Sequence, residues 1–327
     1  MKIRVPEYFT KFNCIADKCL DSCCIGWEID VDGETMAKYK ASDTEMCREI
    51  VEKTSHGYLP LAENGRCAFL DERGLCRIIS AIGDGYLCDI CREHPRYYGV
   101  GDGIIEGGLG LSCEEAARIM LSIRSLPKLL EIERDVHYSD QDDFAEVSEA
   151  IRERLYSVIF DANTDKIAAT YLAYAEIADG VAFDVCSTGE SKEIPIANEA
   201  LTDTERLSSL LDATFDLLMQ SEALSDEWYD TVTKASEVDI SKNTELLDGA
   251  RGLLYYFTHR YVREGVEDMS IGARILLAIL STLAIINIST VINSDEALVR
   301  AAVLFSKNIE YSTENVDMIL EELSEFL

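Results

Sequence analysis

Positive charge is what this sequence has least of. Its 30 Lys and Arg stand against 61 Asp and Glu, a net charge of -31 over 327 residues. The deficit is uneven: residues 1–113 carry a net -6 and residues 114–327 a net -25. So acidic a body repels nucleic-acid phosphates and anionic membranes, and neither is an expected partner. It keeps the protein soluble and suits attraction of a lysine-bearing partner. Other absences narrow the field further. The opening Met1-Lys-Ile-Arg-Val-Pro-Glu has no apolar run of the signal-peptide kind. The expected setting is therefore the cytoplasm, where thiols stay reduced. No repeat of fixed period occurs. No strand–GxGxxG–helix arrangement is present either, and the glycine-rich run Gly99 to Gly110 reads as a hairpin rather than a phosphate cradle. A hydrophobic content of 47% excludes disorder, and the length favours two domains.

Cysteine is nearly missing from the acidic part, where Cys186 stands alone, and crowded before it. Cys14, Cys19, Cys23 and Cys24 come first, then Cys67 and Cys76, then Cys88 and Cys91, and finally Cys113. In a reducing compartment such crowding points to a thiolate-bound metal rather than to disulfides. All nine are candidate ligands for structural zinc or an iron–sulfur centre. Asp17 to Cys24 reads as a short helix with Cys19 and Cys23 on one face. Cys23 and Cys24, being adjacent, point different ways on any regular backbone, so one can serve a second centre. Arg66 to Ile78 reads as a hairpin turning at Asp71–Gly74, with Cys67 and Cys76 at its ends. Cys67, Cys76, Cys88 and Cys91 suit one centre, and Cys14, Cys19, Cys23, Cys24 and Cys113 either build another or position the first. His94 is expected beside the ligands rather than among them. Cys47, on a helix predicted over 42–54, is left out, as is Cys186.

The expected fold is mostly α: a small Cys-rich α+β metal-binding domain over residues 1–113, packed on an acidic all-helical domain over 114–327. Residues 1–13 allow a short strand or extended arm, and Gly26 to Val31 a strand. Ser112 is placed to cap a helix whose positive end stabilises a Cys113 thiolate. Helices are predicted over 113–134 with a break at Pro127, then 141–160, 163–178, 199–220, 225–236, 243–264, 270–292, 295–308 and 312–326. Lys192 to Ile196 marks a loop. The apolar Ile275–Ile292 stretch contains Ser281, Thr282 and Asn287 and lacks a flanking aromatic or basic belt, so it reads as a buried central helix.

Three patterns carry a resemblance: Cys19 to Cys24, the Cys67–Ile78 hairpin, and Cys91-Arg92-x-x-Pro95. They resemble the CxxCxxCC family of zinc- or iron-chelating proteins. Within it the chain is most similar to the flagellin lysine-N-methylases. Val5-Pro6-Glu7-Tyr8, Phe12-x-Cys14, Cys23-Cys24-x-Gly26-Trp27 and Leu111-Ser112-Cys113-x-Glu115-Ala116-Ala117-Arg118 carry that similarity. It continues weakly at His259-Arg260-Tyr261…Asp268 and Ile309-Glu310-Tyr311-Ser312-x-x-Asn315. The resemblance implies methyl transfer from S-adenosylmethionine to flagellin lysines, with a cysteine-bound iron–sulfur cluster, expected as 4Fe-4S.

The residues leave two readings open. After Cys19-x3-Cys23 the third position is Gly26, so the radical-SAM signature Cys-x3-Cys-x2-Cys is absent. No methyltransferase-type glycine motif follows a strand. Lysine must lose a proton to act as a nucleophile, and Glu106 and Glu310 are candidate bases. The alternative is a non-enzymatic zinc- or iron-binding module serving structure or interaction. Protein purified without oxygen separates the two. A brown protein with a broad visible absorption is expected for iron–sulfur, and a colourless zinc-containing one would favour the module.

Overall fold

The computed structural model describes residues 1–327 apart from 21, 28, 55, 64, 102–103, 135–144, 162–163, 189–203, 239–243 and 266–269. Among the described residues six strands form: β1 (Lys2–Pro6), β2 (Ile29–Asp30), β3 (Tyr58–Leu59), β4 (Arg96–Gly101), β5 (Ile104–Leu109) and β6 (Leu129–Glu133). Early helices are short: α1 (Gly33–Ala41), α2 (Glu45–Lys53), α3 (Arg77–Ile82), α4 (Asp89–Glu93) and α5 (Glu114–Leu121). Later ones are longer: α6 (Ala145–Asp161), α7 (Thr164–Thr188), α8 (Thr204–Gln220), α9 (Asp226–Ser236), α10 (Arg251–Tyr261), α11 (Ile271–Val291), α12 (Ala297–Phe305) and α13 (Thr313–Ser324). The fold is mostly α, as the periodicity predicts.

The arm predicted over residues 1–13 is the middle of a sheet. Its order is β4–β5–β1–β6, with β1 parallel to β5 and antiparallel to β6. Ile3 and Val5 are buried, because alternate residues of β1 face the helices. The sheet corrects the helix predicted over 113–134. α5 stops at Leu121, and beyond Pro127 the chain runs extended as β6, with Leu130 opposite Val5 and Ile132 opposite Ile3. Proline cannot supply the amide that a continued helix requires. Two further expectations shrink. Between Asp17 and Cys24 there is only a turn of 3-10 helix, Ala16–Lys18, and Cys19 is extended, so Cys19 and Cys23 share no helical face. The strand predicted over Gly26 to Val31 is reduced to Ile29–Asp30. The Lys192–Ile196 loop and Asp268 lie outside the described residues, as does the side chain of Cys186 in α7.

The glycine-rich run is the β4–β5 hairpin, and its glycines have a packing reason. Tyr97 pairs across the strands with Gly108 and Tyr98 with Gly107. A Cβ on Gly108 would collide with the Tyr97 ring and its hydroxyl, and one on Gly107 would stand 3.1 Å from the ring of Tyr98. The bare backbone lets both rings lie flat across β5.

Packing divides the chain differently from a boundary at residue 113. One apolar core joins β1 and β5 to α5 and to helices from α6 through α13. A second, smaller one lies within residues 24–91 and includes Ile29, Tyr39, Cys47, Ile50, Phe69 and Ile78. The Cys-rich lobe is thus an excursion between β1 and β4, docked on a body that owns both chain ends. α11 is the axis of that body: Ile271 through Ile288 are all buried, and α7, α8, α9, α10, α12 and α13 surround it. Asp179 of α7 accepts from the Gly272 N–H (2.9 Å) at its start.

α10 crosses α5 at Gly252, where an added Cβ would meet the Met120 carbonyl and lie 2.8 Å from its carbon. That obstacle is helix backbone and cannot rotate away. Gly252→Ala should destabilise the protein by about 1–3 kcal/mol. The shift of the chemical denaturation midpoint at unchanged slope measures it.

Candidate metal centre

Three of the candidate cysteines begin helices. Cys76 is the N-cap of α3, Cys88 of α4 and Cys113 of α5. The predicted cap at Ser112 is therefore one residue early. At α5 the Cys113 side chain makes no cap hydrogen bond. The nearby amides of Ala116 and Glu115 favour thiolate, but burial is the larger effect and pushes the Cys113 thiol up to about 11.

The thiols gather in two sets. Cys19 has Cys14, Cys23, Cys113 and the Glu114 carboxylate as neighbours, and burial pushes it up to about 12. Cys113 faces Cys23 and Cys14. This first set lies at the joint between lobe and body. The second lies inside the lobe: Cys91 neighbours Cys88, Cys24 and Cys67, while Cys67 also neighbours Cys76. The closeness of the two thiols lowers Cys88 and, together with burial, raises Cys91. Cys23 and Cys24, one residue apart, belong to different sets with their sulfurs 4.0 Å from each other. Sequence spacing groups Cys24 with Cys14, Cys19 and Cys23; it touches Cys23 and also neighbours Cys91 in the lobe. Cys47 packs fully buried in the lobe core.

His94 lies beside Cys23, and its Nε2 is buried without a hydrogen-bond partner. Trp27 packs 6.0 Å from the His94 ring and 5.2 Å from that of Tyr311, and donates its indole N–H to the Cys23 carbonyl (2.9 Å). Two further bonds fasten the joint. Lys307 Nζ donates to the Ser22 carbonyl (2.8 Å), and the Leu20 N–H donates to Glu114 Oε2 (2.8 Å). Lys307 comes from a π-helical turn, Ser306–Glu310, a wide turn of a kind often found at functional sites.

The donors can be compared with two kinds of metal. A single zinc needs four donors at about 2.0–2.3 Å. Among the described residues no three His, Cys, Asp or Glu side chains are arranged to hold one ion. A cluster distributes its cysteines over several irons and tolerates wider spacing. Each set contains four or more thiols, which is the number a cluster takes.

The candidate bases fare differently. Glu106 is buried and bound by Arg4 (2.5 Å), Arg152 (2.9 Å) and Arg263 (2.6 Å). These guanidiniums outweigh its burial and hold its carboxyl far below the usual range, so it is too weak a base for a lysine ammonium. Glu310 accepts from the Tyr256 (2.6 Å) and Tyr261 (2.8 Å) hydroxyls and lies 3.1 Å from Arg260. Sequence reasoning missed these arginines, since nothing local links them to Glu106.

Comparison with known proteins adds names to this geometry. The chain is 32% identical over 127 residues to the lysine-N-methylase of Salmonella typhimurium strain LT2, covering 36% of this chain and 32% of that protein. The lysine-N-methylase of Salmonella choleraesuis matches equally, again over 32% of its length. Flagellar biosynthetic protein FliU of Salmonella muenchen also matches at 32% identity, and there the match covers 75% of the relative. The match thus spans about a third of the two lysine-N-methylases. No family model and no solved structure matches the chain.

If the two sets are separate centres, metal content should fall in two independent steps. Cys113→Ser should remove the metal of the joint set and leave that of the lobe, and Cys91→Ser the reverse; Cys47→Ser should remove neither. Iron, sulfide and zinc analysis of the three variants reads this directly. Complete loss from either single ligand variant would mean one shared centre.

Proposed function

The chain belongs to the family of the Salmonella lysine-N-methylases and FliU, and on that premise we propose that it transfers a methyl group from S-adenosylmethionine to lysine ε-amines of flagellin. The observation that carries this is the 32% identity to proteins bearing those names, over three quarters of FliU. The gathering of cysteines into two sets supports the further proposal of a cysteine-bound iron–sulfur centre, 4Fe-4S in type. Cys14, Cys19, Cys23 and Cys113 would hold such a centre at the joint; Cys24, Cys67, Cys88 and Cys91, with Cys76 adjacent, would hold one in the lobe. Work in the reducing cytoplasm agrees with free thiols.

The chain's own residues have three tasks in this reaction. The acidic body draws in a cationic side chain over long range. The substrate amine must then be desolvated, because burial away from water disfavours the ammonium and exposes the lone pair that attacks the methyl carbon. Its proton goes to solvent or to a base other than Glu106. Finally, Trp27, Lys307 and Glu114 hold the cysteine loop against the body, so that chemistry at the joint keeps a fixed geometry.

Mass spectrometry of flagellin from the same organism tests the reading, after anaerobic incubation with the metal-replete protein and S-adenosylmethionine. One methyl mass gained on lysine is expected, and no gain defeats it. Methylation should also slow as salt rises, since attraction to the acidic body is screened within roughly 8 Å at physiological strength. That slowing should appear in the flagellin KM far more than in kcat.

A further inference from the structure

One cavity of about 150 Å³ lies outside both thiol sets, between the β4–β5 hairpin and the end of α10. Tyr97, Tyr98, Glu106, Arg260, Tyr261 and Arg263 are among the residues that line it. Four guanidiniums, Arg4, Arg152, Arg260 and Arg263, meet three carboxylates here, Glu106, Glu149 and Glu310. In a chain of net charge -31 that is a local surplus of positive charge. His259 does not reduce it, being neutral: burial holds its imidazole down to about 4. The Arg260 guanidinium lies 4.7 Å from the centre of the Tyr97 ring.

Two polar atoms of this cluster have no protein partner. The Tyr97 hydroxyl is buried without a hydrogen bond, and so is Glu310 Oε2, on the carboxylate that Arg260 and Tyr261 bind. A buried polar group left unpaired is costly, and of the two only Tyr97 belongs to the cavity lining, so its hydroxyl asks for a ligand atom. The phenol supplies a donor beside a guanidinium, which suits a carboxylate. The volume lies below the ~300 Å³ of ordinary small-molecule pockets, so it holds a fragment rather than a nucleoside-sized ligand.

We propose that this cavity recognises the carboxylate of an amino acid, held by Arg260 and Tyr97. Assigning that group to the methionyl end of S-adenosylmethionine rests on the methylation reading above; the preference for a carboxylate does not.

Isothermal titration of the full chain, purified without oxygen and without flagellin, tests it. The probes are L-methionine, S-adenosylhomocysteine, 3-(methylthio)propylamine, which lacks the carboxylate, and inorganic phosphate. The first two should bind, and the amine and phosphate should bind at least tenfold more weakly. Tyr97→Phe should weaken the amino-acid probes by about tenfold or more. The same change should leave the unliganded melting temperature equal or higher, since it removes an unpaired hydroxyl. Arg260→Lys, checked for folding by circular dichroism, should weaken them as well by losing the planar fork. Equal binding of the amine or of phosphate overturns the proposal, and so does a Tyr97→Phe protein that binds methionine like the parent. These outcomes separate from the enzymatic ones. Methylation with binding indifferent to Tyr97 removes this site and keeps the activity, and binding at Tyr97 without methylation does the opposite.

Discussion

Glu106 holds the architecture together. Its carboxylate is buried on the central region of the sheet, and its three arginines come from β1, from α6 and from the turn after α10. Desolvating a lone carboxylate costs several kcal/mol, and only close, hydrogen-bonded cations offset that. The pairing therefore specifies where the sheet meets the helical body: a displaced arginine would leave an uncompensated buried charge. The same interaction creates the cationic wall of the cavity and disqualifies Glu106 as a base. Structure and chemistry at this spot have one cause.

The joint follows from a second constraint, the adjacency of Cys23 and Cys24. The turn at these two residues leaves their sulfurs 4.0 Å apart, so the joint thiols and the lobe thiols touch here. Gly26 follows with φ +90°, a conformation that residues with a side chain rarely adopt. The lobe therefore approaches the body through a short backbone segment flanked by ligand candidates. Order in that segment and ligation by its cysteines are coupled, as binding and folding are wherever thiolates must be brought together.

Much of this was legible in sequence, and the misses have physical reasons. Helices from α6 to α13 announce themselves by apolar periodicity, and α11 by its continuous apolar run with polar residues too numerous for lipid. β6 was hidden, since Leu129, Leu130 and Ile132 suit a helix as readily as a strand until β1 offers a partner. Adjacency suggests that Cys23 and Cys24 point apart, whereas the turn they occupy brings their sulfurs to 4.0 Å. The arginines around Glu106 had no local signal at all; residues 4, 106, 152 and 263 meet only because four elements converge. Tyr97 and Gly108 could have been found, since aromatic–glycine cross-strand pairing is implied once the hairpin register is known.

The enclosure of α11 has a consequence for biosynthesis. The helices that wrap it come from both sides in sequence, and α12 and α13 are made after it. Until those two helices have been made and have packed, a 21-residue apolar rod lacks part of its cover. Chaperones, membrane-targeting factors and neighbouring nascent chains all compete for such a surface. A chain cut short before α12 should therefore be met by the cell as a quality-control substrate.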